Sequence, residues 1–222
     1  LLRMPILVGG TGLFIDSFID HIQFAHVQTN PDLRRELLAK DGTELYRTLQ
    51  QVDPTAAAEI HPNNKNRVVR ALELYYAGIT KTAQNAASRR EDSPYEALYF
   101  VLRYRDRQVL YDRINARVDA MLAAGLVEEA RQAYAACGPT ARQAIGHKEL
   151  LPYLEGREPL ETAVERLKQE TRRYAKRQIT WFKRRQGTVV LEPDTMDTER
   201  LIAAATAQAE DFLYGKDKGK RA

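Results

Sequence analysis

From Glu158 to Arg185 the chain runs through residues that favour a helix, and no glycine interrupts them. A helix of that length must bury one face in a core and leave the rest to solvent or a partner. Its last part, Arg172 to Arg185, reads RRYAKRQITWFKRR: half of these fourteen residues are Lys or Arg and none is acidic. Helical spacing puts Arg166, Arg173, Arg177 and Arg184 along one side. Val164, Leu167, Tyr174 and Phe182 share a different stripe, suited to core packing. A solvated basic face is one reading. Two features favour an anionic partner instead. The charge is one-signed, where a merely soluble face mixes signs. Tyr174, Gln178 and Trp181 are interleaved with it, as a surface for phosphates and unstacked bases requires.

The rest of the chain bounds what this helix serves. A length of 222 residues suits one large domain, or one domain with a smaller insert. No apolar run approaches the length of a membrane span, so no membrane partner is expected. The net charge of +4 is mild, and the position of the charge matters more than its sum. One cysteine, Cys137, excludes an internal disulfide framework, and with four scattered histidines it speaks against a metal site. The expected compartment is the cytoplasm. The chain opens Leu1-Leu2-Arg3 with no initiator Met and no signal-peptide pattern, and it reads as the C-terminal two-thirds of something longer.

Pro5 to Val8, PILV, followed by Gly9-Gly10-Thr11-Gly12 and Leu13-Phe14-Ile15, reads as a buried parallel strand, a tight turn and a helix. Such a turn can aim backbone N–H groups at an anion. It is neither a dinucleotide fingerprint, which needs glycine where Ile15 stands, nor a Walker A loop. Gly215-Lys216-Asp217 and Gly219-Lys220-Arg221 also lack the required Ser or Thr.

From Asn30-Pro31-Asp32 the pattern turns helical. The expected helices run to about Lys40, then over Thr43 to Gln51, Pro54 to Ile60 and Asn64 to Ala77. Thr82 to Glu91, with Arg89-Arg90-Glu91-Asp92, reads as a polar returning loop. Tyr95 to Tyr104 is the second expected strand, and a helix from Asp106 to Ala124 ends at Gly125. A helix over Leu126 to Ala136, a third strand at Thr188 to Leu191 and a closing helix from Thr198 to Tyr214 follow. The tail GKDKGKRA is expected to be disordered.

Arg113 and Arg117 stand four apart, hence on one helix face, and two guanidiniums at that spacing can grip a pyrophosphate. Spacing alone favours the plainer alternative, surface pairing with Asp112 and Asp119. His147 by itself is more often a packed or surface histidine than a catalyst.

Five segments, taken in order, converge on one family. They are Gly9-Gly10-Thr11-Gly12-Leu13, HPNNKNRVVRALEL from His61, LYDRINARVDAMLAAGLVEE from Leu110, ARQAIGHKE from Ala141 and RRYAKRQITWFKR from Arg172. Together they resemble the tRNA dimethylallyltransferases over nearly the whole chain.

The resemblance implies a P-loop-kinase-like three-layer α/β core with an all-helical insert and a helical C-terminal part. The core would be partial here, with the N-terminal strands and the P-loop missing. Residues 1–24 would belong to the core, 25–90 to a helical insertion domain that meets tRNA, and 91–222 to the rest of the core with the basic helix. The implied activity is transfer of a dimethylallyl group from dimethylallyl diphosphate to N6 of the adenine 3′ of the anticodon, with Mg²⁺ in the complete enzyme.

Position by position, Arg117 and Arg113 would meet the diphosphate. Toward the anticodon stem-loop the resemblance implies Thr11, then Arg34, Asn66, Arg67 and Arg70 of the insert. The ARQAIGH segment would add Arg142, Gln143, Ala144, Ile145, Gly146 and His147. The basic helix would add Lys176, Arg177, Gln178, Thr180, Trp181 and Lys183. Gln143 and Gln178 suit base edges, because an amide both donates and accepts. The departures are as informative. The family's P-loop and its catalytic Asp are not in this chain, so no catalytic residue is carried over. His147 stands where relatives most often carry Tyr, and Phe14 replaces a frequent Tyr. The expected protein is a monomer, with a non-catalytic tRNA-binding module as the alternative.

Overall fold

The computed structural model describes residues 4–22, 27–28, 30–88 and 93–218. The chain divides into two compact units, Leu1–Gly9 with Leu13–Glu96, and Gly10–Gly12 with Ala97–Ala222.

After α1 (Gly12–Ile19), the first unit is built from α2 (Pro31–Ala39), α3 (Gly42–Val52), α4 (Pro54–Glu59), α5 (Lys65–Tyr76) and α6 (Lys81–Ser88). Each start of α2 to α5 has a chemical cause. The side chains of Asn30, Asp41, Asp53 and Asn64 accept backbone N–H groups that a first helical turn leaves unpaired. Pro31 and Pro54, which have no N–H to lose, occupy the first turns of α2 and α4. Leu37, Leu45, Leu49, Ala57, Val68, Val69, Ala71 and Leu72 form the core of this unit. Asp53 is 5% exposed and joins two helices. Its carboxylate accepts from the Ala56 N–H at 3.1 Å, from the Thr82 N–H at 2.9 Å and from the Thr82 hydroxyl. Burial works to raise its pKa, but the bonds from Thr82 and from the backbone prevail and hold it below the usual carboxylate value.

The second unit carries β1 (Tyr99–Leu102), α7 (Arg107–Ala123), α8 (Leu126–Ala136), α9 (Pro139–Arg142), α10 (His147–Leu154), α11 (Leu160–Phe182), β2 (Thr188–Leu191) and α12 (Thr198–Lys218). The two strands pair in parallel, Tyr99 opposite Thr188 through Leu102 opposite Leu191. Asp194 closes the sheet's end by accepting the backbone N–H groups of Arg105 and Asp106. Val118 of α7, Leu126 and Ala130 of α8, Leu150 of α10, and Ala163 and Leu167 of α11 form the second core. Gly125, at φ +99°, makes the left-handed turn between α7 and α8 that a side chain would resist.

Three expectations need correction. Pro5–Val8 is not a strand: residues 4–9 carry no sheet pairing, and Ile6 and Val8 are 86% and 88% exposed. An apolar run becomes a strand only where a neighbour satisfies its N–H and C=O groups. Among the described residues the sheet has two strands, which pair with each other. The α/β character therefore rests on a small parallel sheet in a mostly helical molecule. Thr82–Glu91 is not simply a loop, because α6 covers Lys81–Ser88. Thr80 caps that helix, its hydroxyl accepting from the Ala83 N–H, while Arg89 to Asp92 lie outside the described residues. The closing helix also outruns Tyr214 and ends at Lys218; residues 219–222 lie outside the described residues.

Candidate nucleic-acid interface

Helix α11 divides by the fate of its cations. As far as Arg173 they are engaged: Arg166 bonds the Glu158 carboxylate and the Glu149 carbonyl. Lys168 meets Asp119 of α7 at 2.8 Å, Arg172 bonds Asn115, and Arg173 bonds Glu170. Apart from the Arg173–Glu170 pair, which lies within the helix, these contacts tie α11 to its own unit. Farther on, Lys176, Arg177 and Lys183 are exposed and face no carboxylate among the described residues. Arg177 lies 5.7 Å from the centre of the Tyr174 ring, a contact that leaves its charge unneutralised. Arg166 and Arg173 therefore do not continue the free basic face that helical spacing suggests.

The Gly10-Thr11-Gly12 turn lies on this end of the helix. The Gln178 amide donates to the Gly10 carbonyl at 2.9 Å, and the Thr11 hydroxyl is 3.5 Å from that of Tyr174. A Cβ on Gly10 would collide with the Gln178 amide, and one on Gly12 with the Trp181 ring. At Gly12 the rigid ring makes glycine the residue that allows close approach to α11, whereas at Gly10 the flexible amide could move aside and give up its bond to the Gly10 carbonyl. Trp181 stays 37% exposed beside the turn.

A second polar edge follows α8. The Arg142 Nε–H donates to the Cys137 carbonyl, and the guanidinium stands 5.9 Å from the Tyr134 ring. The Tyr134 hydroxyl donates to the Arg142 carbonyl at 3.2 Å. Burial first, then the charges of Glu149 and Glu155, push the Tyr134 phenol above its usual pKa. Gln143 and Ala144 are exposed, whereas Ile145 packs on the second core. Gly146 adopts φ +102°, with Leu126 3.3 Å from where a Cβ would sit, and donates its N–H to the buried Glu149 carboxylate. His147 is 8% exposed, with both ring nitrogens within hydrogen-bond distance of Ala141 and Glu129.

Arg113 and Arg117 do not make the surface pairs that spacing favours. Asp119 is held by Lys168, and Asp112 accepts from Gln108. Arg113 lies 5.7 Å from the Tyr104 ring, and Arg117 has no acidic partner among the described residues. Both remain available to an anion.

In the first unit the basic residues are treated differently. One Arg34 nitrogen lies 3.0 Å from each oxygen of Glu73, and Arg70 reaches the same carboxylate at 3.3 Å. The Glu73 side chain is only 12% exposed. Asn66 and Arg67 are exposed. Sequence reasoning missed Glu73, although its place three residues after Arg70 was a readable signal. It also missed Glu129 and Glu149, whose partners are set only by the fold. Among the described residues no three His, Cys, Asp or Glu side chains gather as metal ligands, and no helix is long and apolar enough to cross a membrane.

A small parallel sheet in a mostly helical molecule, with cations at the end of α11 and on α7 that have no acidic partner among the described residues, leaves positive charge open to an anion. The IPP transferase family model matches residues 2–185, and the chain belongs to that family. It is 48% identical over 187 residues to a tRNA dimethylallyltransferase of Exiguobacterium sibiricum, which covers 82% of this chain and 58% of the relative. With the enzyme of that name from Halalkalibacterium halodurans it shares 40% over 221 residues, covering 96% and 69%. Among solved structures it is similar to the full-length tRNA isopentenylpyrophosphate transferase of Bacillus halodurans, at TM-score 0.63 and 36% identity, covering 99% of this chain and 70% of that one. A eukaryotic dimethylallyltransferase acting on tRNA gives TM-score 0.68 at 29% identity, covering 93% and 56%. The chain thus spans 58% of the length of the Exiguobacterium relatives it matches.

Proposed function

We propose that this chain is the tRNA-facing portion of a dimethylallyltransferase, which moves the dimethylallyl group of dimethylallyl diphosphate to N6 of the adenine 3′ of the anticodon. The observation that carries the reading is the end of α11 beyond Arg173, where Lys176, Arg177 and Lys183 have no acidic partner among the described residues and Gln178 meets the Gly10–Gly12 turn. RNA phosphates would be met by Lys176, Arg177 and Lys183, and base edges by Gln143 and Gln178. The target base must leave the anticodon stack to react, as base-modifying chemistry requires.

Arg117 and Arg113 would neutralise diphosphate as it departs, which is what makes it a leaving group. N6 is a weak nucleophile because its lone pair is delocalised, so a carboxylate must take its proton. No carboxylate of this chain matches the family position for that role. The family's Mg²⁺ would neutralise diphosphate further. The described residues supply no cluster of ligands for it, and no step is assigned to it.

The alternative reading is a tRNA-binding module without chemistry. One experiment separates the two. Labelled dimethylallyl incorporation into a tRNA with adenine 3′ to the anticodon is measured with the 222-residue chain. It is repeated after joining the N-terminal segment of a close relative. We expect no transfer from the chain alone, since losing one anion-hole donor already costs about 3–4 kcal/mol. Transfer is expected to return on joining and to fall again with Arg117→Ala. If joining restores nothing while the chain still binds tRNA, the binding-module reading stands.

A further inference from the structure

The His147 ring at the start of α10 is nearly closed off from solvent. Its Nδ1 lies 2.9 Å from the Ala141 carbonyl oxygen, and its Nε2 lies 3.1 Å from a Glu129 carboxylate oxygen. Both partners are acceptors: a carbonyl cannot donate, and neither can an ionised carboxylate. The ring satisfies both only with a proton on each nitrogen. A ring so engaged has no donor or acceptor left for a nucleotide.

What the ring spans is the segment that bears Arg142 and Gln143. Ala141 lies in α9, and its carbonyl also receives the Ala144 N–H at 3.1 Å. The His147 N–H returns to the Ala144 carbonyl at 3.1 Å. Glu129 is on α8, the helix whose Tyr134 hydroxyl holds the Arg142 carbonyl. The segment is therefore fastened to α8 at two points, Tyr134 and His147, with Gly146 pinned separately by Glu149. The elements packed here also carry Lys148 and Glu149 on α10, Arg142 on α9, and Arg166 of α11, whose guanidinium bonds the Glu149 carbonyl.

The geometry points to His147 as a positioning residue: doubly protonated, it clamps Ala141 to α8 and so presents Arg142 and Gln143 to RNA, without touching the RNA itself. This rests on the tRNA-facing reading above. If either contact of the ring is lost, the Ala141 end of the segment is released from α8 and the presented edge loosens.

The test has one arm without RNA and one with it. Amide-exchange protection of Ala144 and His147, normalised for intrinsic rates, is measured in the 222-residue chain. It is repeated for His147→Gln and for Glu129→Gln. The Glu129 side chain is 68% exposed, so its variant keeps the fold even if the ring variant does not. Protection is expected to drop roughly three- to tenfold in both variants, the worth of one hydrogen bond. The RNA arm measures affinity for an anticodon stem-loop in a cycle of His147→Gln with Arg142→Ala,Gln143→Ala. If His147 acts through the segment, its substitution weakens the parent and adds nothing in the double variant. Additive losses would mean that His147 contacts RNA, and unchanged protection in both variants would mean there is no clamp. Absence of RNA binding by the parent would count against the tRNA-facing reading, while the exchange arm would still decide the clamp.

Discussion

In the helical unit Arg34 and Arg70 converge on one carboxylate, Glu73, whereas the end of α11 carries Lys176, Arg177 and Lys183 with no carboxylate beside them among the described residues. All five are cations that sequence alone ranks together. The structure ranks them apart, because an anion approaching Arg34 or Arg70 must compete with a shielded carboxylate already in place. At α11 it competes only with water and salt. Counting basic residues therefore overstates the first surface and describes the second fairly.

The largest expected effect tests whether the helical unit is a fixed frame at all. Asp53→Ala leaves the Ala56 and Thr82 donors without their acceptor and uncouples α4 from α6. It should cost about 3 kcal/mol in urea unfolding, since buried unsatisfied donors cost about 1–3 kcal/mol each. The same residue sets a pH dependence. Its folded pKa lies below the unfolded value of roughly 3.9. Its stabilisation is therefore complete above that value and is lost as pH falls through the lower folded one. Asp53→Asn should abolish the part of the acid transition that falls below about pH 4. An unchanged acid transition would mean that the carboxylate does not hold this junction.

Next comes the free side of the comparison. Lys176→Ala,Arg177→Ala should weaken binding to an anticodon stem-loop and flatten the dependence of log affinity on log salt by about 1.5 units. Each phosphate contact contributes roughly 0.7–0.9. Arg166→Ala, removing a cation already bonded to Glu158 and to Glu149, should leave that slope as it was and lower stability instead. Equal slopes for the two variants would erase the distinction between paired and free cations along α11.

Much of this was legible in the chain. Asn30, Pro31, Asp41, Asp53 and Asn64 mark helix starts by local chemistry, which needs no tertiary knowledge, and the helices begin where they stand. TVVL became a strand over the expected residues, because its partner Tyr99–Leu102 is present to pair with it. PILV, equally apolar, did not, since strand identity depends on a neighbour that one run cannot reveal. Thr80 was a visible cap ahead of α6, but the polar composition that followed masked it. The basic residues on α11 were found from sequence, yet which of them Glu158 and Asp119 neutralise depends on how the chain packs, whereas Glu170, three residues before Arg173, was a local signal. For Arg113 and Arg117 the local acids were the wrong guide, since Lys168, far along the chain on α11, takes Asp119 at 2.8 Å.

The smallest effect gives the finest reading of the contrast, and it concerns Glu73. If that carboxylate merely neutralises Arg34 and Arg70, Glu73→Gln should release two guanidiniums for phosphate. Affinity for the stem-loop would then rise by roughly two- to threefold with a steeper salt slope, as a gained phosphate contact requires. The glutamine keeps an acceptor for one arginine, so the cost to folding should stay near 1 kcal/mol, in the range of one charge-assisted bond exchanged for a neutral one. The opposite outcome is equally specific. Weaker binding with a flatter slope would mean that Glu73 aims the two arginines at the RNA rather than silencing them, since a fork held in place loses less freedom on binding than two loose side chains. Arg67→Ala is the control, because Arg67 is exposed and has no acid to answer to among the described residues. Its loss should flatten the slope by somewhat less than one unit whichever way Glu73 acts.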